Sequence, residues 1–439
     1  MAYLSAIYDK INKYCRQNGL LESGKKVLVA VSGGADSVFL LRYLMAEDYE
    51  VEVAHCNFHL RGEESNRDEQ FVRELCETHH ITLHVKDFNT LDYAQANGVS
   101  IEMAARTLRY EWFDRLLHKI GSDTLAVAHH RDDNIESMLL NLVRGTGIKG
   151  LRGMQPRNGH IVRPLLCISR SDIITGLNEM QQSYVYDSTN FEDQFSRNKI
   201  RLDVMPLLRS INAGADNNIA TAIENINETF KVYDESIRHS IQQCSEPHND
   251  SLYINKERLQ ACASPLSVLH EILALYGFNR SQILLISQCE SSGKEFCSPT
   301  HRLIIDRNQF IVSPITEEAD IEDIPLEAYP DIEVSIVEAD SCTIQRQNNY
   351  AYFDADKVKG KLVVRLTKTG DKFRPFGMKG CKLVSDLLTD LKVNILEKRQ
   401  QLVVCDDERI LWVVGKRASD DCKVTSSTKR IIWLKRAKG

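Results

Sequence analysis

At 439 residues the chain is too long for one ordinary core, and two to four domains are expected. Its 43% hydrophobic and 26% charged residues are ordinary for a soluble globular protein, and no run approaches the roughly 20 uninterrupted apolar residues that a membrane helix needs. The net charge of −6 is uneven: residues 357–439 hold 21 Lys and Arg against 9 Asp and Glu, a local +12 on a body of −18. That asymmetry suits a polyanionic partner such as nucleic acid, and it equally suits a solvated charged surface.

The first segment, MAYLSAIYDKINKYCRQNG, reads as a short amphipathic helix. It has neither the apolar block nor the small-residue cleavage site of a secretory signal, so a cytoplasmic protein is expected. From residue 26 to about 145, strand-like runs alternate with helical patterns. KVLVAV (26–31) leads to a helix over Asp36–Met45, followed by VEVAH (51–55), a helix over 63–79 and ITLHV (81–85). A long helix follows over about 100–120, then TLAVAH (124–129) and a helix from Arg131. This alternation predicts an α/β fold, a parallel sheet covered by helices, with ligands at the carboxyl ends of the strands.

Residues 216–290 carry Ile, Leu and Val at helical spacing. Residues 316–340 hold ten acidic residues, two prolines and no basic residue, as expected of a connector or exposed edge. Strand-like LVVRL, QLVVCD, ILWVVG and RIIWLK then mark a small α+β module. The expected domains are 1–215 (catalytic), 216–315 (mostly helical), 316–345 (acidic connector) and 346–439 (basic). The twelve cysteines are scattered with no C-x-x-C pair, and reduced thiols are expected.

Three stretches carry chemistry. SGGADS comprises Ser32, Gly33, Gly34, Ala35, Asp36 and Ser37, between a strand and a helix. Its glycines let backbone approach a phosphate, the helix N-terminus aims N–H groups at it, and the two serines can add hydroxyl donors. Asp36 suits a Mg²⁺ bridge rather than direct phosphate contact. The loop has neither the lysine of G-x-x-x-x-G-K-[ST] nor the G-x-G-x-x-G spacing. In AHHRDDNIES, the residues His130, Asp133 and Glu136 fall at helical spacing, suited to Mg²⁺ or proton chemistry and equally to helix capping. Arg106 and Arg109 lie three apart on a predicted helix, able to clamp phosphate or to form surface salt bridges.

The first loop is similar to the SGGxDS pyrophosphate loop of the PP-loop ATP pyrophosphatases, which implies ATP cleavage between the α and β phosphates through an adenylylated intermediate. With HCNFHLRGEES (55–65), AARTLRYEW (104–112), AHHRDDNIES, LVRGTGIKGLRGM (142–154), RPLL (163–166) and DSTNFEDQFSRNKIR (187–201), the order resembles the N-terminal domain of the bacterial tRNA(Ile)-lysidine synthetase family. GDKFRPFGMKGCKLVSDLLTDLK (370–392) and ILWVVGKR (410–417) resemble that family's C-terminal domain.

The resemblance implies adenylylation of C2 of the wobble cytidine of tRNA(Ile) with a CAU anticodon, followed by displacement of AMP by L-lysine. It further implies ATP on Ser32–Ser37, Mg²⁺ at Asp36 and Asp133, and Arg106, Arg109 and His130 lining the site. Arg197, Asn198 and Arg201 would stand near substrate or tRNA, and Lys372, Arg374, Lys379 and Lys382 would contact tRNA phosphates. A homodimer is implied as well. Phe58 stands where the family usually has the second histidine of His-x-x-His, which leaves His59 without an inherited role. A PP-loop tRNA thiolase, an ammonia-using amidoligase and a nucleotide-binding sensor remain alternatives. Turnover of ATP to AMP that requires tRNA and lysine together separates them.

Overall fold

The computed structural model describes residues 2–186, 197–315, 323–407 and 409–437. These form two compact units, Met1–Asp234 and Glu235–Gly439.

The first unit begins with α1 (Ala2–Asn18), β1 (Lys26–Ala30), α2 (Ala35–Ala46), β2 (Glu50–Asn57), α3 (Glu63–Thr78) and β3 (Thr82–Asp87). It continues with α4 (Thr90–Asn97), α5 (Ile101–Ile120), β4 (Leu125–Ala126), α6 (Arg131–Val143), α7 (Ile148–Leu151), β5 (Arg157–Asn158), β6 (Ile161–Val162) and α8 (Arg170–Glu179). The sheet order is β3-β2-β1-β4-β6-β5, parallel except for the β5–β6 hairpin. The central strand β1 is buried on both faces through Val27, Leu28 and Val29, which is why it reads as a continuous apolar run. The chain crosses from β1 to β2 on one side and to β4 on the other. This reversal opens a crevice at the carboxyl end of β1, where the SGGADS loop sits.

Helix α2 is apolar nearly all round because it is sandwiched: Val38, Phe39, Leu40, Leu41, Tyr43 and Leu44 are buried in a core shared with Ile7 and Ile11 of α1 and Ile173 and Leu177 of α8. Each such side chain contributes about 1.5–3 kcal/mol by leaving water. The long helical pattern over 100–120 is a pair of helices. Asn89 caps α4, Ser100 caps α5, and left-handed Gly98 and Gly121 end them.

A helix over Ala215–Cys244 crosses from the first unit to the second, so the compact units divide at Asp234 rather than at residue 215. The cause is apolar spacing on its first half: Ile219, Ala220 and Ile223 pack on Ile135, Leu140, Ile200 and Met205 and belong to the first unit's core. Residues 245–314, expected as mostly helical, combine helices Lys256–Gln260, Pro265–Ala274 and Arg280–Gln288 with a five-stranded antiparallel sheet. That sheet runs β7 (Ser245–His248), β8 (Ser251–Asn255), β11 (Gln309–Pro314), β10 (His301–Ile305) and β9 (Glu295–Cys297).

Of the acidic segment, residues 316–322 lie outside the described residues. The remainder forms β12 (Ile324–Pro325) and β13 (Ile332–Glu338), the latter an edge strand on the basic last strand (Arg430–Arg436). There Glu333 faces Lys435 at 3.2 Å, so this stretch of acid is a strand edge neutralised by its partner, not a linker. No helix among the described residues is long and apolar enough to cross a membrane.

Gly176 of α8 lies against α2. A Cβ there would stand 2.5 Å from Phe39 Cε2 and 3.3 Å from Leu4 Cδ1, within a ring that is fully buried. Gly176→Ala gains up to ~1 kcal/mol of helix propensity but overpacks this seam by about 1–3 kcal/mol. A lowered urea midpoint is expected, and an unchanged or raised one would show that α8 can move away from α2.

Candidate active site

The SGGADS turn satisfies its own polar groups while leaving others open. Gly33 has φ +94°, and its carbonyl accepts the Val185 N–H at 2.9 Å. A Cβ at Gly33 would meet Val72 and Val185 at an ordinary 3.5 Å, so it is the left-handed backbone rather than lack of space that demands glycine. The Ser37 hydroxyl donates to the Gly34 carbonyl at 2.9 Å and accepts the Ser32 N–H at 3.2 Å, and the Gly34 N–H reaches Ser32 Oγ at 3.4 Å. The expectation that Ser37 offers a free hydroxyl donor is therefore corrected: its proton is committed to the loop, and Ser37 is buried. Helix α2 has no side-chain cap, so the first-turn N–H groups of Ala35, Asp36 and Ser37 remain directed at the crevice.

Beside the loop stands a cluster from α6. His130 is the N-cap residue of that helix. Its backbone N–H donates to Asp133 Oδ2 at 3.0 Å, and its ring Nδ1 accepts the Asp133 N–H at 3.4 Å. With Nδ1 accepting, a neutral ring carries its proton on Nε2, which lies 3.8 Å from Asp36 Oδ1 and 3.4 Å from Asp133 Oδ2. Both His130 Nε2 and Asp36 Oδ1 are buried without a hydrogen-bond partner. Burial pushes the Asp36 carboxyl above its ordinary value, opposed by His130 and Arg170. The Arg170 guanidinium is 3.8 Å from Asp36 Oδ2.

Glu136, one turn after Asp133, is buried and takes a two-pronged bond from Arg201, at 2.6 and 3.0 Å. Arg201 sits in a π-helical stretch, Ile200–Val204, and also approaches Asp133 at 3.5 Å. Asp36 and Asp133 thus supply two carboxylates around one imidazole proton. This donor set fits Mg²⁺, which binds through one or two carboxylates together with substrate phosphates. Among the described residues no group of three or more His, Cys, Asp and Glu could hold a metal unaided.

A cavity of about 330 Å³ opens at the ends of β1 and β2 and on the first half of α5, lined by Ser32, Asn57, Phe58, Arg106, Arg109 and Arg197, with His129 at its edge. The guanidinium of Arg106 lies over Tyr110 at 4.9 Å and that of Arg109 over Phe58 at 5.2 Å; among the described residues neither forms an ion pair. Phe58 stacks on Phe88 at 5.3 Å, so the aromatic ring in the family's usual histidine position serves as a platform for Arg109. His59 turns away, at φ +51°, to bond Asp87 at 2.7 Å. Burial pushes the Cys56 thiol up to about 12, which leaves it protonated and unsuited to sulfur chemistry.

Of the further residues here, His129, Arg163 and His55 lie within the sequence motifs but had no individual role there, and Arg170 lies outside them. Arg170 comes from the start of α8. His129 and Arg163 bond each other at 3.3 Å, and His55 is locked by its Nδ1–H to the Val31 carbonyl at 2.9 Å. A second cavity of about 170 Å³, lined by His130, Glu136, Arg170, Arg201, Arg209 and Asp216, adjoins the cluster. Of DSTNFEDQFSRNKIR, residues 187–196 lie outside the described residues, and Asn198 lies on the turn before Arg201.

In the C-terminal module, Lys372 and Lys379 are exposed. Arg374 is paired with Asp421 and Lys382 with Asp390, so each shares its charge with a carboxylate of the module.

Comparison with known proteins places a family model described as a PP-loop domain on residues 4–208, one described as a TilS substrate binding domain on 246–315, and one described as a B3/4 domain on 341–434. The tRNA(Ile)-lysidine synthase of Bacteroides thetaiotaomicron is 44% identical over 98% of this chain and 99% of its own. That of Parabacteroides distasonis is 41% identical over 96% and 98%, and that of Porphyromonas gingivalis is 35% identical over 94% of each.

Burial, with the guanidinium groups of Arg163 and Arg197 adding to it against the pull of Asp133, pushes the His129 imidazole down to about 4. The unfolded chain takes up this proton near pH 6.5, and the folded chain refuses it until about pH 4. The contribution is therefore complete above pH ~6.5 and is lost as pH falls through that window. Between pH 7 and 4.5 the native protein should lose about 2 kcal/mol more stability than His129→Asn, measured by urea denaturation. Equal losses would mean that His129 is not held neutral.

Proposed function

The chain belongs to the tRNA(Ile)-lysidine synthase family, and from that membership and the geometry of its site we propose that it joins free L-lysine to C2 of the wobble cytidine of tRNA(Ile) bearing a CAU anticodon. It is a ligase that uses ATP, and the product reads AUA in place of AUG. The carrying observation is the unsatisfied face of the SGGADS turn next to the Asp36–His130–Asp133 cluster, with Ser32 lining the cavity edged by Arg106, Arg109 and Arg197 and His130 lining the adjoining cavity.

In the first half-reaction the C2 oxygen of the cytidine attacks the α-phosphorus of ATP. A C–O–P bond forms and the bond to pyrophosphate breaks. In the second half-reaction the lysine amine adds at C2 and loses a proton, and AMP leaves with the former C2 oxygen. In this reading the backbone N–H groups of Ser32–Ser37 hold the polyphosphate through the α2 N-terminus. Asp36 and Asp133 would hold Mg²⁺, which supplies charge neutralisation on the phosphates. His130 keeps a proton on Nε2 between those carboxylates. Arg106 and Arg109 face the negative charge of the α-phosphoryl group as it passes to the cytidine oxygen, with Phe58 and Tyr110 orienting them. Arg197 and Asn198 stand on the tRNA side of the cavity, and Arg201 fixes Glu136 and the turn that carries them.

The same reading assigns catalysis to residues 1–215 and tRNA backbone contacts to 346–439, with 216–315 and the acidic segment 316–345 between them. It places the enzyme in the cytoplasm as a homodimer, which sedimentation velocity would test. A tRNA thiolase is disfavoured by the protonated, half-buried Cys56 thiol, since Cys56 is the one cysteine lining the cavity.

Incubation with ATP, Mg²⁺, labelled lysine and transcripts should label the CAU-anticodon tRNA(Ile) and leave the methionine tRNA unlabelled, with AMP formed only when tRNA and lysine are both present. AMP formation without label in the tRNA would overturn the assignment. Asp36→Ala should lower lysine incorporation by at least about 100-fold. Lys372→Glu with Lys379→Glu should weaken tRNA binding several-fold at moderate salt and leave ATP affinity unchanged; unchanged tRNA affinity would remove the C-terminal module from the backbone contacts.

A further inference from the structure

One cleft of the catalytic unit has no part in the chemistry above. It is an open groove of about 460 Å³ between edge strand β3 and the second half of α5. Its lining includes Lys86, Arg115 and Lys119 and contains no carboxylate. All three cations are exposed, and among the described residues none forms an ion pair; Arg115 only bonds the Glu111 carbonyl, at 3.1 Å. Of the neighbouring carboxylates, Glu52 is bonded by Lys26 and His84, Asp87 by His59, and Asp114 by His160, while Glu111, one turn before Arg115, is exposed on α5. The lining of the groove is therefore net positive, although the body of the chain outside residues 357–439 is strongly acidic.

The groove and the active-site cavity both draw on helix α5. On α5, Arg106 and Arg109 lie toward its start and Trp112, Arg115 and Lys119 toward its end, with Arg109 and Trp112 one turn apart. The first two line the cavity and the last three line the groove. At 1.5 Å per residue, Arg109 and Lys119 are about 15 Å apart along the helix. Between them the wall is aromatic: Phe58 of the cavity stacks on Phe88, which meets Trp112 of the groove edge-on at 6.1 Å. A lysine on the edge strand also discourages addition of a further strand from a protein partner.

Resting on the tRNA-modifying reading, we propose that this groove is a phosphate track. The backbone of the strand whose wobble base enters the cavity continues along β3 and α5, with its phosphates held by Lys86, Arg115 and Lys119. Such contacts position the strand without reading its sequence. Binding energy would be drawn from a surface on the catalytic unit itself, next to the base that must leave the stack.

The test measures tRNA Kd against salt for the full-length protein, for K86E/R115E/K119E, and for a control that reverses three exposed cations of α1, K10E/K13E/R16E. Melting temperature and ATP Kd verify that each variant is folded. The groove variant should raise tRNA Kd at least tenfold at about 0.1 M salt and flatten the log Kd–log salt slope by about 2, as expected for three lost single-strand phosphate contacts. K86Q/R115Q/K119Q should fall between it and the native protein, and the α1 control should move neither quantity comparably.

With lysine incorporation by the native protein demonstrated, an unchanged Kd and slope in the groove variant overturn the track. Equal losses from the groove and the α1 control overturn it too, by reducing it to overall charge. An acidic protein retained by the groove while tRNA binding stays intact would assign it to that other occupant and overturn the proposal. Absence of lysine incorporation by the native protein defeats the functional reading first, and the track with it.

Discussion

The Ser37 hydroxyl, donating to the Gly34 carbonyl and accepting from the Ser32 N–H, sets the direction in which α2 leaves β1. Together with the Gly33 carbonyl tied to Val185, these bonds close the turn without using the first N–H groups of the helix. Most helices spend a side chain on satisfying those groups. Here the cap is withheld, and a position that would ordinarily be stabilised is kept open for an anion. The surrounding fold makes up for it: α2 is buried nearly all round between the sheet and α1 and α8, so the helix does not depend on its cap to stay formed.

The neighbouring helix solves the opposite problem with the same residues that serve the site. His130 and Asp133 form a reciprocal cap on α6, and that cap decides which ring nitrogen of His130 faces Asp36. Capping and chemistry, which compete as explanations of AHHRDDNIES at the level of sequence, are one arrangement. Asp36 is left with an oxygen that is buried and unpaired, a state that is unfavourable unless a cation or a proton donor completes it. The Glu136–Arg201 pair plays a quieter part: it pins a π-turned segment, with its irregular backbone, beside the cavity.

The parallel sheet was legible because its strands are buried on both faces and read as unbroken apolar runs. SGGADS was legible because few other functions require two glycines and two serines between a strand and a helix. The roles of Arg170, His129, Arg163 and His55 were not, although all but Arg170 stand in the motifs themselves. Each comes from a different element, and only the closure of the sheet brings them within reach of the loop. The five-stranded sheet over residues 245–314 was missed because its strands are short and interleaved with strong helical spacing. The acidic stretch before the C-terminal module looked like a linker because the lysine that neutralises Glu333 lies 102 residues further on. The pairing of Arg374 escaped notice for the same reason, since Asp421 lies 47 residues further along the chain.

The ties that complete the site join distant parts of the chain. Gly33 waits for Val185, and Glu136 waits for Arg201. Synthesis proceeds from the N-terminus, so a ribosome-bound chain that ends before residue 185 already contains the whole glycine loop but lacks the strand-like contact that clamps it. The oppositely charged partner that orders the far wall arrives only when nearly half the protein has been made. A prematurely terminated product of that length has the glycine loop but not the Gly33–Val185 and Glu136–Arg201 ties that hold its surroundings in the folded chain.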